Sequence, residues 1–267
     1  KAELRERIRR FAFTRRGRNL KGGEVILKRS REAYDYLRPH DPVVRHGWLF
    51  AKQWVDESVD EIEGEGFDYR KRDERIDKLR REAMIEIWTE RGFEGFRELL
   101  TGSGAAFTAG QYVISCVGDA KQQEEFIKRC LSLGGNLRSK AELCIQGSLC
   151  QIEDASRTRI LQAVAEGLGA KERQRLFICA PFESSTWRLL DSYSEVLRIG
   201  YWNHVHPSWR RHTPAELAEL IDRLLEVQRP RAAFQAVHMD FNDVDTLRLR
   251  QLLHDVATIH AEPEGQI

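Results

Sequence analysis

The chain has 267 residues, enough for two ordinary domains or one elongated one, and charged residues make up 32% of it, against about 25% in typical globular proteins. The formal net charge of +1 gives no overall polyanion-binding signal. No apolar run approaches the ~18 residues needed to span a bilayer, so no membrane partner is expected.

The charge is unevenly placed. Residues 1–31 carry twelve Lys or Arg and three Glu, whereas residues 56–74 carry nine acids and three bases. Such segregation marks a nucleic-acid arm, a partner surface or an internal pairing. The five cysteines (Cys116, Cys130, Cys144, Cys150 and Cys179) are odd in number and lack CxxC spacing. They read as reduced, small buried residues of a cytoplasmic protein. The chain opens at Lys1 rather than Met, and is expected to be a segment of a longer polypeptide.

Taken in chain order, the first element is a basic helix from Leu4 to Phe13, broken by Arg15-Arg16-Gly17-Arg18 and Gly22-Gly23. A second block, Arg31 to Leu37, stops before Pro39. Asp41-Pro42 combines a capping residue with proline at the first helical position, and introduces His46, Leu49, Phe50, Trp54 and Val55 as a buried helix face. Residues 56–74 read as solvated. Ile76, Leu79, Ala83, Met84 and Ile87 form one stripe, closed by Arg91-Gly92. Short helices follow: Phe93 to Leu100, Ala105 to Val117, a stretch carrying Phe126, Ile127, Cys130 and Leu131 behind Asp119, then Leu137 to Leu149, Ile160 to Leu168 and Leu176 to Ala180. Pro181 leads to Trp187, Leu189, Leu190, Tyr193, Val196 and Leu197.

The clearest helix start is Thr213-Pro214-Ala215-Glu216, a capping box ahead of Leu217, Leu220, Ile221, Leu224 and Leu225. Arg229-Pro230 begins a shorter helix, and Asn242 or Asp243 precedes Leu247 to Ile259. The best strand candidates, Glu24 to Leu27 and Gln111 to Cys116, are short and isolated. The fold is therefore expected to be all-α, in stacked antiparallel helix pairs, with an irregular, non-repetitive helical domain as the alternative. Residues 1–75 form an N-terminal helical segment and 76–267 a helical-repeat-like domain in this reading. Segment 213–258 looks like one such helix pair with a bridging turn of helix, and 136–180 resembles another.

At class level, over about residues 76–258, the chain resembles α-solenoid scaffolds of HEAT-like or tetratricopeptide-like character. It keeps no fixed 34-residue period and lacks the tetratricopeptide consensus positions. The resemblance implies a concave surface offered to partners.

The densest cluster of functional side-chain types runs from Tyr201 to His212. Trp202, His204, His206, Trp209, Arg210 and Arg211 are the first choice for a ligand-facing loop, because aromatics beside arginines suit base stacking or an acidic partner. A metal at His204, His206 and His212 lacks a nearby Cys, Asp or Glu to complete its set. The plainer reading makes the tryptophans plugs between helix pairs. In the segment His238 to Asp245, Asn242 or Asp243 as a helix cap accounts for the acids better than a calcium loop does. The basic N-terminus (Arg5, Arg9, Arg10, Arg15, Arg16 and Arg18, with Phe11 and Phe13 flanking) is the best electrostatic footprint for nucleic acid. No phosphate loop, nucleophile elbow or paired carboxylates appear, so no enzyme, cofactor or metal is expected. The function expected is a protein-interaction or scaffold domain whose partner is another protein or a neighbouring domain. A nucleic-acid-associated helical domain is the alternative.

Overall fold

The computed structural model describes residues 2–13, 23–55, 69–207, 212–237 and 239–259. It is all-α, with no strand among the described residues. The chain divides into two compact units: one holds Lys1–Asp119 and Leu133–Ser148, the other Ala120–Ser132 and Leu149–Ile267.

The first unit contains α1 (Ala2–Ala12), α2 (Glu24–Tyr36), α3 (Pro42–His46), a 3-10 turn at Gly47–Leu49, α4 (Tyr69–Gly102), α5 (Ala106–Val113) with a 3-10 turn at Ile114–Cys116, and most of α7 (Arg138–Gln151). Residue 75, the end of the expected N-terminal segment, lies within α4. The second unit contains α6 (Ala120–Leu131), α8 (Asp154–Glu166), α9 (Ala170–Cys179), α10 (Ser184–Asp191), α11 (Glu195–His204), α12 (Pro214–Glu226), α13 (Pro230–Val237) and α14 (Thr246–Thr258). Within it helices pack on up to three near neighbours in sequence: α8 on α6, α9 and α10, α11 on α9, α10 and α12, and α12 on α11, α13 and α14.

Both strand candidates are helical. Glu24 to Leu27 opens α2, and Gln111 to Cys116 ends α5 and forms the following turn. The β-branched pair Val25-Ile26 carries only a weak local preference, which the packing of α2 against α1 overrides. In 213–258 the expected bridging turn is the eight-residue helix α13, between α12 and α14, whereas 136–180 holds three helices, α7, α8 and α9, rather than a pair. Asp245, rather than Asn242 or Asp243, caps α14 by accepting from Arg248 N at 3.0 Å. The capping box of α12 is present as read: Thr213 Oγ1 accepts from Glu216 N at 3.3 Å, and Thr213 N donates to Glu216 Oε2 at 2.9 Å.

Gly92 breaks α4 where the sequence places a stop. Its φ of 54° with ψ of −145° lies in a region that residues with a Cβ avoid. The kink turns Phe93, Phe96, Leu99 and Leu100 into the core after Ala83, Met84 and Ile87. Beyond it, α5 and α7 cross at glycines. A Cβ on Gly110 would collide with Cys144 O, and one on Gly147 with Phe107 O. Ser148 Oγ donates to Gly110 O at 3.0 Å across that crossing.

A helix leaves its last carbonyls without partners, and here basic side chains from other parts of the chain supply many of the donors. Lys140 donates to Leu100 O and Thr101 O at the end of α4. Arg157 does so for Leu149 O and Ile152 O after α7, and Arg173 for Ala165 O and Leu168 O after α8. Arg175 reaches Leu131 O of α6, and Arg229 reaches Trp202 O and Val205 O, both at 2.8 Å, at the end of α11. Each contact places a cation at the negative end of a helix dipole. Much of the arginine content is thus structural.

Candidate functional site

The segment from Gly47 to Val55 follows α3, and the sequence reading made it part of a buried helix face. It is instead a 3-10 turn followed by irregular backbone. Leu49, Phe50 and Val55 are buried as expected, but Trp54 is 71% exposed. Irregular backbone needs partners for its polar groups, and this segment obtains them from three sources. Arg80, buried on α4, donates through Nε to Leu49 O at 3.0 Å and through one terminal nitrogen to Lys52 O and Gln53 O at 3.2 and 2.9 Å. Ser103 Oγ and Ala105 N donate to Phe50 O, and Gly104 N to Ala51 O. Arg72 donates to Val55 O at 3.0 Å. Every carbonyl from Leu49 to Val55 except that of Trp54 is therefore held, and the held backbone carries an outward tryptophan.

Trp48, half-buried in the same segment, separates two small clefts. One, of about 200 Å³, is walled by Trp48 and Trp54 with Arg9, Arg10 and Lys52 around it. The other, of about 260 Å³, lies between Trp48 and Tyr34, with Arg5 and Arg45 lining it. A third hollow of about 280 Å³ on the far side of Trp54 reaches Tyr112. There the Tyr112 hydroxyl donates to Asp77 Oδ1 at 2.8 Å, and burial with that bond pushes the phenol up to about 12. Burial opposes ionisation of Asp77, yet bonds from Arg81 and Tyr112 hold its carboxyl below the usual range.

Of the basic N-terminal residues, Arg5 and Arg9 are buried. The Arg9 guanidinium stacks 4.2 Å from the Trp48 ring and binds Glu6 at 2.8 and 2.9 Å. Arg5 stacks 3.8 Å from the Tyr34 ring and donates to Tyr34 O at 3.1 Å. Arg10 is exposed and pairs with Glu6 at 3.0 Å. Arg15, Arg16 and Arg18 lie outside the described residues. The two described clefts thus take in Arg5, Arg9 and Arg10, together with Trp48, Trp54 and Lys52, which the sequence reading left out of its site. Asp41-Pro42 was the available signal, since a cap fixes where the following segment begins.

In the second unit Trp202 is buried, within 5.6 Å of the Trp187 ring and 6.0 Å of Phe182. His204 Nδ1 lies 2.8 Å from Gly200 O and 3.1 Å from Gln174 Nε2, so the imidazole is engaged locally. His206 is exposed, while His212 is buried against Phe182 and Trp187. Trp209, Arg210 and Arg211 lie outside the described residues. Among the described residues no group of three or more His, Cys, Asp or Glu is placed to hold a metal ion.

No protein-family model, curated protein or solved structure matches the chain.

Proposed function

We propose that this chain is a helical protein-interaction module that docks a partner protein on the surface centred on Trp48 and Trp54. One observation carries the reading: a solvent-exposed tryptophan stands on a loop whose neighbouring carbonyls are bound by Arg80, Arg72 and the 103–105 turn. Tryptophan and arginine are the residues most enriched where binding energy concentrates. An anchor held rigid before binding loses little conformational freedom on association. The near-neighbour packing of the second unit supports a scaffold of stacked helices there, because such an array extends without one central core. The nucleic-acid alternative has less support, since Arg9 is buried and both Arg9 and Arg10 are paired with Glu6.

The test places a photo-reactive phenylalanine analogue at position 54 of the full chain. The reading expects a discrete cross-linked partner, competed away by unlabelled wild-type chain and not by the Trp54→Ala chain. Competition by both chains alike would overturn it.

A further inference from the structure

The cleft between Tyr34 and Trp48 differs in chemistry from its neighbour on the far side of Trp48. Arg5 lines it, nine-tenths buried, with its guanidinium flat on Tyr34 and one N–H donated to Tyr34 O. Among the described residues no carboxylate stands within ion-pair distance of Arg5, although burying an uncompensated cation is costly. Arg45 lines the same cleft. It gives Nε to Pro39 O at 2.9 Å, one terminal nitrogen to His40 O at 2.7 Å and the other to Glu86. Arg38 immediately precedes Pro39, which lines the cleft; it is exposed, and among the described residues its side chain makes no hydrogen bond or ion pair.

Arg5 is lowered first by burial and then by Arg38 and Arg45, with Tyr34 and Asp35 opposing. His46 is lowered to about 4 by burial and by Arg45, Arg38 and Arg5 in turn. It is therefore neutral at pH 7 and donates Nε2–H to Glu86 at 2.6 Å. Glu86 is the carboxylate bonded within this group, and it is shared between Arg45 and His46.

We infer that the Tyr34–Trp48 cleft is a phosphate-monoester site that docks a phosphorylated peptide segment of the partner protein on Arg5, Arg38 and Arg45. This rests on the interaction-module reading and names the partner's chemistry. A phosphorylated side chain brings roughly −1.5 to −2 charges and three acceptor oxygens at pH 7, which suits a group of guanidiniums of which, among the described residues, only that of Arg45 bonds a carboxylate, the Glu86 it shares with His46. The volume of about 260 Å³ falls below the roughly 300–1,000 Å³ of pockets that enclose drug-sized ligands, so it takes one headgroup on a stem. Glu3 and Glu6 on the cleft wall disfavour a continuous run of backbone phosphates, and a single phosphate avoids them.

The experiment titrates the full chain with the N-acetyl amides of phosphotyrosine and phosphoserine, with their unphosphorylated counterparts and with a single-stranded oligonucleotide. Binding is followed by calorimetry and by the NMR titration of His46. Saturable binding of a phosphorylated amide is expected, with none for its counterpart. The bound dianion should offset the arginine field and raise the His46 pKa. Arg38→Gln, at an exposed position, should weaken affinity about tenfold or more with an unchanged melting curve. Arg5→Gln should weaken it too, but its burial can also cost folding, so Arg38→Gln decides. Equal binding of phosphorylated and unphosphorylated amides, an unaltered affinity in Arg38→Gln, or displacement of the amide by the oligonucleotide would each overturn the inference. Cross-linking at position 54 that persists when the amides fail to bind sinks the phosphate site alone. Amide binding without a competed cross-link sinks the docking of a partner and leaves the anion site standing.

Discussion

The segment around Trp48 and Trp54 in the first unit and the segment around Trp187 and Trp202 in the second draw on the same side chains and use them differently. In both, a buried arginine holds the backbone: Arg80 takes the carbonyls of Leu49, Lys52 and Gln53, and Arg229 takes those of Trp202 and Val205. The side-chain directions then diverge. Trp202 sits on the inward face of α11, and its ring joins Phe182, Trp187 and Tyr201 at centroid distances of 5.3 to 6.0 Å. Trp54 lies in irregular backbone between the held carbonyls of Gln53 and Val55; Val55 turns inward and Trp54 outward. Anchoring of the main chain is therefore separable from burial of the aromatic, and of these described tryptophans it is Trp54, in the first segment, that is turned out to solvent.

The sharpest way to break this contrast is to truncate the inward tryptophan. Trp187→Ala removes a side chain that is 1% exposed and should cost about 3–5 kcal/mol in denaturant unfolding, the range for large aromatic deletions in cores. A cost under about 1 kcal/mol, within the range of surface substitutions, would mean that the second segment is not a core plug.

The contrast also explains what could be read in advance. Helices were legible wherever a stop had a local cause: the Thr213 capping box, the φ of Gly92, and the apolar spacing of Phe126, Ile127, Cys130 and Leu131, all buried. Trp54 was not. Its apolar step from Phe50 fits a helix, and nothing nearby in sequence announces that Arg80, 31 residues beyond Leu49, captures the intervening carbonyls. The same blindness applied to Arg5. In sequence it belongs to a run of bases, and only the fold brings it onto Tyr34, 29 residues away. Local chemistry writes caps and stops into the sequence, whereas long-range arginine-to-carbonyl bonds leave no periodic mark.

The next test removes the anchor itself. Arg80→Met deletes a donor serving Leu49, Lys52 and Gln53. Leaving the buried Leu49 acceptor and the part-buried carbonyls of Lys52 and Gln53 without this donor should cost about 1–3 kcal/mol. Amide exchange across 47–55 should accelerate more than across α4. Uniform acceleration across the unit would make Arg80 a general core residue rather than the clamp of this loop.

An effect of at most similar size comes with acid. His46 has its pKa depressed from 6.5 to about 4, so the unfolded chain binds the proton first. The stabilisation is complete above pH 6.5 and is lost as the pH falls from there towards 4. The shift from 6.5 to about 4 corresponds to about 3 kcal/mol at most. Burial lowers His212 in the second unit as well, with Glu216 and Asp240 opposing, so the two units should weaken in the same direction. Unfolding at pH 7 and pH 4.5 measures the sum, and His46→Gln should abolish the first unit's share. A wild-type chain equally stable at both values would contradict the burial assigned to these rings.

The smallest expected change in stability is the most telling for function. Trp54→Ala removes a ring that stands largely in water, on a loop whose bonds are all made by main-chain carbonyls. Surface substitutions of this kind stay within about 0.5 kcal/mol, so the melting curve of the variant should overlie that of the wild type. Core packing and docking make different demands on an aromatic. A ring kept for packing costs stability when removed, and a ring kept for docking costs binding alone. A large destabilisation by Trp54→Ala would place the indole among the packing residues beside Trp187 and erase the difference between the two segments. An unmoved melting curve with lost ability to compete for the cross-linked partner would keep that difference and assign the outward tryptophan to a partner.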